Sequence, residues 1–245
     1  MTDLVKIERR EGVMEILFDR PAQKNALTLA MYSKAAQALR EASDDDEVRS
    51  VMIVGAGNHF TSGNDLFDFM QDPPTDENSP VFQFLLALRE CACPVVAGVE
   101  GYAIGIGTTM LLHCDMAWAG ADAQFRLPFV DLGLVPEAGS SVMLAAIAGH
   151  RRAAELLYFG DFFDAQLAKE TGIINDVVEG DLREFVLEKA RRLAEKPPVA
   201  MRLTKELMRA TDDEVVEIAM RKEAAIFVRR LQSKEFMAAV ASFQK

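Results

Sequence analysis

The stretch Pro94-Val95-Val96-Ala97-Gly98-Val99-Glu100-Gly101-Tyr102-Ala103-Ile104-Gly105-Ile106-Gly107-Thr108-Thr109 decides the fold. Pro94–Val99 is a short, almost unbroken apolar run, the pattern of a strand buried on both faces of a parallel sheet. Glycines then punctuate the chain at Gly101, Gly105 and Gly107, and a short apolar helix follows. A turn of this kind lies at the carboxyl end of its strand, where open α/β sheets gather ligands. The helix start offers N–H groups without intrahelical acceptors, suited to a developing negative charge. The turn does not complete a dinucleotide fingerprint, because Met110 stands where the third glycine belongs. The chain also has no P-loop.

Upstream, strand Ser50–Val54 runs into the loop Gly55–Asn64, which carries His59-Phe60-Thr61-Ser62-Gly63-Asn64-Asp65-Leu66. Before it, Leu4–Arg9 and Val13–Phe18 read as strands joined at Glu11-Gly12. A helix capped by Thr28 then places Met31, Ala35, Ala38, Leu39 and Ala42 on one face. Gln71–Pro80 is rich in Pro, Asp and Asn and reads as a mobile loop, followed by a helix over Val81–Cys91. Downstream come strands near Asp115–Ala119 and Gln124–Phe125, then a third notable segment, Pro128-Phe129-Val130-Asp131-Leu132-Gly133-Leu134-Val135-Pro136-Glu137-Ala138-Gly139. Helices are predicted over Ser140–Ala148, Arg151–Phe159, Asp164–Thr171, Leu182–Glu195, Pro198–Ala210, Asp212–Leu231 and Ser233–Phe243, with one strand at Ile174–Val178. Strand–helix alternation followed by helices indicates an α/β core with a helical C-terminal portion.

Composition narrows the function. The chain has 245 residues, half of them hydrophobic and 27% charged, with a net charge of −11. That mix is too apolar for disorder and too interrupted by charge for a membrane protein. The apolar stretches around Ala103–Leu112 and Val142–Ala148 fall short of a span of about 20 residues. The acidic balance counts against nucleic acid as a partner. No apolar signal core follows Met1-Thr2-Asp3-Leu4-Val5-Lys6, and three cysteines (Cys91, Cys93, Cys114) suggest no disulfide framework, so a cytoplasmic protein is expected. Those cysteines with His113 and Asp115 fit no zinc spacing, and no metal is expected. His59 and His150 have no evident triad partner, and Ser140-Ser141 read as helix-starting residues.

The three segments, in this order and at this spacing, resemble the crotonase superfamily (enoyl-CoA hydratase/isomerase), from about Val13 to Phe243. Asp19-Arg20-Pro21 with Lys24-Asn25-Ala26-Leu27 resembles the family's early loop that contacts coenzyme A. The resemblance implies an α/β spiral of ββα units over residues 1–195. Residues 196–245 would form a C-terminal helical oligomerisation region packing subunits into a homotrimer or a dimer of trimers. It implies an acyl-CoA substrate, with coenzyme A as part of that substrate and no permanently bound cofactor. Carried over by position, the backbone N–H groups of Asn64 and Ile106 form an oxyanion hole. Two fixed donors on a thioester oxygen stabilise an enolate. The candidate contacts to substrate and coenzyme A are Arg20, Lys24, Ser62, Asp65, Leu66 and Gly105. Phe67, Met70 and Phe129 are the candidate acyl-pocket residues, and Lys245 is a further possible cation.

Adding water across a double bond is best served by two carboxyl groups. At the positions where similar hydratases carry glutamates, this chain has Thr109 and Phe129. Moving a double bond needs only one base, and Glu137 matches the base position of the peroxisomal-type 3,2-enoyl-CoA isomerases. Ser62-Gly63-Asn64-Asp65-Leu66, Ile104-Gly105-Ile106 and Lys196-Pro197-Pro198 also resemble that subgroup. Glu137 is therefore expected in an apolar pocket with a raised pKa. Asp131 is expected to point away from the pocket, and Asp65 and Glu100 to serve loop backbones. The alternatives are a hydratase or another crotonase reaction and, in a different class, a non-catalytic acyl-CoA- or RNA-binding relative.

Overall fold

The computed structural model describes residues 4–211 and 213–243; Asp212 and Lys245, named above, lie outside the described residues. Its larger sheet has six strands: β1 (Val5–Arg10), β2 (Val13–Phe18), β3 (Ser50–Gly55), β4 (Val95–Val99), β6 (Met116–Gly120) and β9 (Asp176–Val178), in the order β1-β2-β3-β4-β6-β9. Only β1 and β2 pair antiparallel; Val13↔Ser50, Val51↔Val95 and Val96↔Met116 set the parallel registers. A three-stranded sheet, β5 (Tyr102–Ile104), β7 (Gln124–Arg126) and β8 (Phe163–Asp164), sits beside it.

Both faces of the large sheet are covered, which is why its central strands are apolar on both sides. Side-chain alternation sends Val51, Ile53, Val95, Ala97 and Val99 into one core, against α1 (Leu29–Asp44) and α3 (Pro80–Glu90). Met52, Val54 and Val96 enter a second core against Val186, Leu187 and Ala190 of α8 (Leu182–Ala194). At Gly98 a Cβ would stand 3.1 Å from Val186 Cγ2, so this glycine lets α8 approach the sheet.

The remaining helices are α2 (Leu66–Gln71), α4 (Ile106–Thr109), α5 (Ser140–Ala148), α6 (His150–Phe159), α7 (Ala165–Glu170), α9 (Pro198–Arg209), α10 (Asp213–Leu231) and α11 (Lys234–Phe243). The expected apolar helix after the glycine turn is only four residues of α-helix before it tightens into a 3-10 turn over Met110–His113. Asp164 caps α7 rather than starting it, because its carboxylate accepts from the Leu167 amide at 2.8 Å. Its neighbour Phe163 pairs with Phe125 as a strand, an element absent from the sequence expectation. Ile173 and Ile174 are buried but lie in the turn before β9, so that strand begins later than their apolar character suggests. Val216, Met220, Phe227, Leu231, Phe236 and Val240 of the last two helices join the first core. No helix among the described residues is long and apolar enough to cross a membrane.

Candidate active site

Two loops meet at the carboxyl edge of the sheet. The Thr61 amide donates to Tyr102 O at 2.8 Å and the Ile104 amide to Thr61 O at 3.1 Å, a parallel bridge in register Thr61↔Ala103. Three residues further along each segment stand Asn64 and Ile106. The flanking bonds Leu27 N–H to Gly63 O (2.8 Å) and Asp65 N–H to Leu27 O (2.9 Å) occupy one edge of the Asn64 segment. Strand alternation turns the Asn64 N–H to the opposite edge. Ile106 is the first residue of α4, so its N–H has no intrahelical acceptor. Among the described residues neither amide donates a hydrogen bond. Gly63 has φ +94, and a Cβ there would lie 2.7 Å from Ile104 O, so only glycine lets the two segments approach this closely.

The third segment supplies the acid. Glu137 is buried, with 6% of its surface exposed, and Oε1 has no hydrogen-bond partner. Burial, and then the neighbouring Glu223 carboxylate, push its pKa from 4.5 up to about 8. The Thr109 hydroxyl faces the carboxyl and pulls slightly the other way, although Thr109 Oγ1 completes no hydrogen bond of its own. Thr109, which faces the acid, ends the short helix that Ile106 begins, and Tyr32, which feels the Glu137 charge, bonds the Asn64 side chain.

The turn that aims Glu137 is unusual. Ala138 (φ 62) and Gly139 (φ 70) are both left-handed, a conformation that costs a residue with a Cβ roughly 1–2 kcal/mol. Two distant groups hold it. His113 Nε2 lies 2.6 Å from Ala138 O. Because a carbonyl only accepts, that nitrogen carries the proton. Burial, helped by Arg89 and Arg209, outweighs this contact and lowers the His113 pKa to about 4, so the ring is neutral. From the other side, Glu223 of α10 accepts from the Gly139 amide (2.6 Å), the Ser141 amide (3.0 Å) and the Ser141 hydroxyl.

Glu137 opens onto an apolar cavity of about 360 Å³ lined by Phe69, Phe82, Leu85, Met220, Ala224 and Phe227, with Asp76, Glu77 and Arg221 also on its wall. The expected Phe67, Met70 and Phe129 are not among its lining residues. On α2 it is Phe69 that turns inward, while Phe67 is 64% exposed and Met70 is 37% exposed. Phe129 is buried in the main core instead. The Gln71–Pro80 segment lies across the cavity, where Glu77 pairs with Arg221 of α10.

The other expected contacts divide between scaffold and surface. Arg20 is committed internally: its Nη1 pairs with Asp65 Oδ2 at 2.6 Å and donates to Ala26 O at 3.0 Å. Asp65 also caps α2 through the Phe67 and Asp68 amides. Partial burial opposes its ionisation, but the Arg20 bond and those amides win and hold its pKa below the usual value. Ser62 ties its amide to Lys24 O (2.9 Å) and its hydroxyl to Gln23 O (3.2 Å). Leu66 begins α2, and Gly105 (φ 57, ψ −116) precedes the Ile106 amide in a conformation open to glycine. Lys24 is exposed, its Nζ 4.5 Å from the centre of the Tyr102 ring. Asp131 pairs with Arg126 at 2.8 Å, away from the cavity lining, and Glu100 offers its backbone carbonyl to Phe60 N–H at 2.7 Å.

Sequence reasoning did not single out Tyr32 or Glu223. Tyr32 is 1% exposed, and its hydroxyl bonds Asn64 Oδ1. Burial and the proximity of Glu137 push its pKa well above the usual value. A polar-tipped ring on an otherwise apolar face of α1, and a glutamate on the inner face of α10, were the available signals.

The chain is similar to known proteins over nearly its full length. The family described as "Enoyl-CoA hydratase/isomerase" matches residues 8–245. "Enoyl-CoA delta isomerase 2" of Rattus norvegicus is 35% identical over 239 residues. That alignment covers 95% of this chain and 61% of the relative, so the chain spans about three fifths of that relative's length. "2,3-dehydroadipyl-CoA hydratase" of Escherichia coli K12 is 28% identical over 245 residues, covering 99% of this chain and 96% of the relative. A solved structure of Pseudomonas aeruginosa OdaA matches with a TM-score of 0.95 and 44% identity, covering 99% of each chain.

Proposed function

The chain belongs to the enoyl-CoA hydratase/isomerase family, and from that membership we propose that it moves the double bond of a 3-enoyl-CoA to the 2,3 position, with Glu137 as the single acid/base. The observation that carries this reading is a buried carboxyl on an apolar cavity, beside Thr109 of the short helix that begins with the unused Ile106 amide, with Thr109 and Phe129 at the positions where the resemblance puts a hydratase's glutamates.

In the proposed reaction the thioester oxygen accepts from the Asn64 and Ile106 N–H groups. The ionised Glu137 removes a proton from C2, and the C–H electron pair becomes the C1–C2 bond of an enolate. As the thioester carbonyl re-forms, the pair returns as the C2–C3 double bond. The former C3–C4 π pair then takes the same proton from Glu137 at C4. No water enters and no atom is lost. Donors aimed at the developing oxyanion are the largest single contribution expected. A carboxyl with a pKa of about 8 is a stronger base than an ordinary one.

Hydration would need a second carboxyl to hold water. Glu223, the carboxylate that acts on Glu137, is already engaged by three donors at the start of α5. Lys24 is the exposed cation available for a coenzyme A phosphate, since Arg20 is paired with Asp65. The cytoplasm is the proposed location. A homotrimer, or a dimer of trimers, is the proposed assembly, supported by the exposed stripe Val199, Leu203 and Leu207 on α9. The test is incubation with 2-enoyl- and 3-enoyl-CoA and product analysis. A 3-to-2 shift without hydroxyacyl product is expected, whereas net hydration would overturn the isomerase reading. Tight binding without turnover would point to a non-catalytic relative.

A further inference from the structure

We propose that Glu223 is a positioning residue for Glu137: its carboxylate holds the left-handed Ala138-Gly139 turn that aims Glu137 into the cavity, and sets a fixed negative charge beside it. The inference rests on reading Glu137 as the base. Glu223 comes from α10, far along the chain, and is 7% exposed. It takes the place of a local cap, because the N-cap of α5 is Gly139, which has no side chain to offer. The donors it satisfies, the Gly139 and Ser141 amides and the Ser141 hydroxyl, need only an acceptor. A neutral acceptor would serve helix stability without burying a charge next to another acid. The buried charge is therefore unexplained by capping and explained by its neighbour.

The groups around Glu137 come from every element packed on it. They are Glu223 and Arg221 on α10, Tyr32 on α1, Thr109 on α4, His113 in the 3-10 turn, and Asp76 and Glu77 on the segment before α3. Arg221 is paired with Glu77 and Glu217, and His113 is neutral. Glu223 is the charge that acts on Glu137. Burial raises the pKa of Glu223 as well, but the Ser141 hydroxyl and the amides of Ser141, Gly139 and Ser140 work against it. Glu137 Oε1 has no such donor. Of the two carboxyls, Glu223 ionises first and Glu137 keeps the proton to higher pH.

The test is a carbon-13 NMR titration of the glutamate carboxyls in the full chain, beside a pH–rate profile on a 3-enoyl-CoA. In the unaltered protein Glu223 is expected to titrate below Glu137; the reverse order overturns the proposal and requires no variant. In Glu223→Gln the Glu137 midpoint is expected to fall by about one pH unit, with the alkaline-rising limb of kcat/KM moving with it. The limiting kcat is expected to fall roughly tenfold with KM little changed. Glu223→Asp keeps the charge with a shorter reach, and is expected to retain the midpoint while losing kcat. An unmoved Glu137 midpoint in folded Glu223→Gln overturns the proposal. If the unaltered protein shifts no double bond, the base reading fails while the carboxyl titration still decides the Glu223 inference.

Discussion

The Tyr32 hydroxyl on α1 donates to Asn64 Oδ1, tying the first long helix to the loop that carries the unused Asn64 amide. The ring is held in turn by Phe84 of α3, at 5.5 Å between centroids, so the donor has little freedom. Asn64 thus keeps its backbone N–H unused, as the proposed oxyanion role requires, while its side chain anchors the loop that carries it.

Tyr32→Phe should therefore keep the fold and weaken catalysis. Removing an oxyanion donor outright costs about 10²–10³ in kcat; loosening its anchor should cost less, about tenfold, with KM nearly unchanged. Steady-state kinetics on a 3-enoyl-CoA, beside a thermal melt showing a folded protein, check this. A KM rise at constant kcat would place Tyr32 in substrate binding instead.

The two glycine turns, the central strand β4 and the Glu137 segment were legible because each carries its signal locally. Apolar runs mark burial, and glycines mark backbone that no Cβ permits. What was not legible depends on partners remote in sequence. Arg20 reads as an available cation until Asp65, 45 residues later, is seen to bind it. Phe67, Phe69 and Met70 are equally plausible cavity residues on a six-residue helix whose rotation only packing decides. Glu223 looks like one more charge on an amphipathic helix. Its meaning lies in the orphaned amides of a helix start that belongs to another part of the chain.

Gly63→Ala is expected to separate the two amides. A Cβ there would meet Ile104 O at 2.7 Å, and φ +94 is costly for alanine. Backbone carbonyl cannot yield as a side-chain tip can, so one segment must shift. The variant should lose about 1–3 kcal/mol of stability and at least 10²-fold in kcat. Denaturant unfolding and kinetics measure both. Gly105 is a useful contrast: no atom lies within 4 Å of its would-be Cβ, so alanine there is strained by φ alone.

The cavity makes a prediction about chain length. Phe69 lines it and Phe67 does not, so Phe69→Ala should alter kcat/KM for long acyl chains relative to short ones, while Phe67→Ala should leave that ratio within about twofold. Truncating a buried Phe costs about 3–5 kcal/mol, so the Phe69 variant is compared by ratio between substrates rather than by absolute rate. Equal effects of the two substitutions would mean that the acyl chain takes another route.

Glu137 should also be visible in stability, independently of any substrate. In the unfolded chain it ionises near the ordinary value of 4.5; in the folded protein it holds its proton to about 8. Between those values the folded state binds one proton more, so stability falls as pH rises, by about 1.4 kcal/mol per pH unit for that one group. Below pH 4.5 both states are protonated and the penalty vanishes; above 8 it is constant. His113 works in the opposite direction on the acid side. Its folded pKa of about 4 lies below the ordinary 6.5, so stability falls as pH drops through that interval. Glu137→Gln removes the first slope and leaves the second. The variant should therefore melt higher than the unaltered protein at pH 8, by less at pH 6, and at the same temperature near pH 4. It should be deficient in double-bond shift by 10²-fold or more throughout. Melting temperatures across that pH range, read for both proteins, test the burial of Glu137 without reference to its chemistry. A pH-independent difference between them would mean that the carboxyl is ionised in the folded state, with solvent or a cation reaching it.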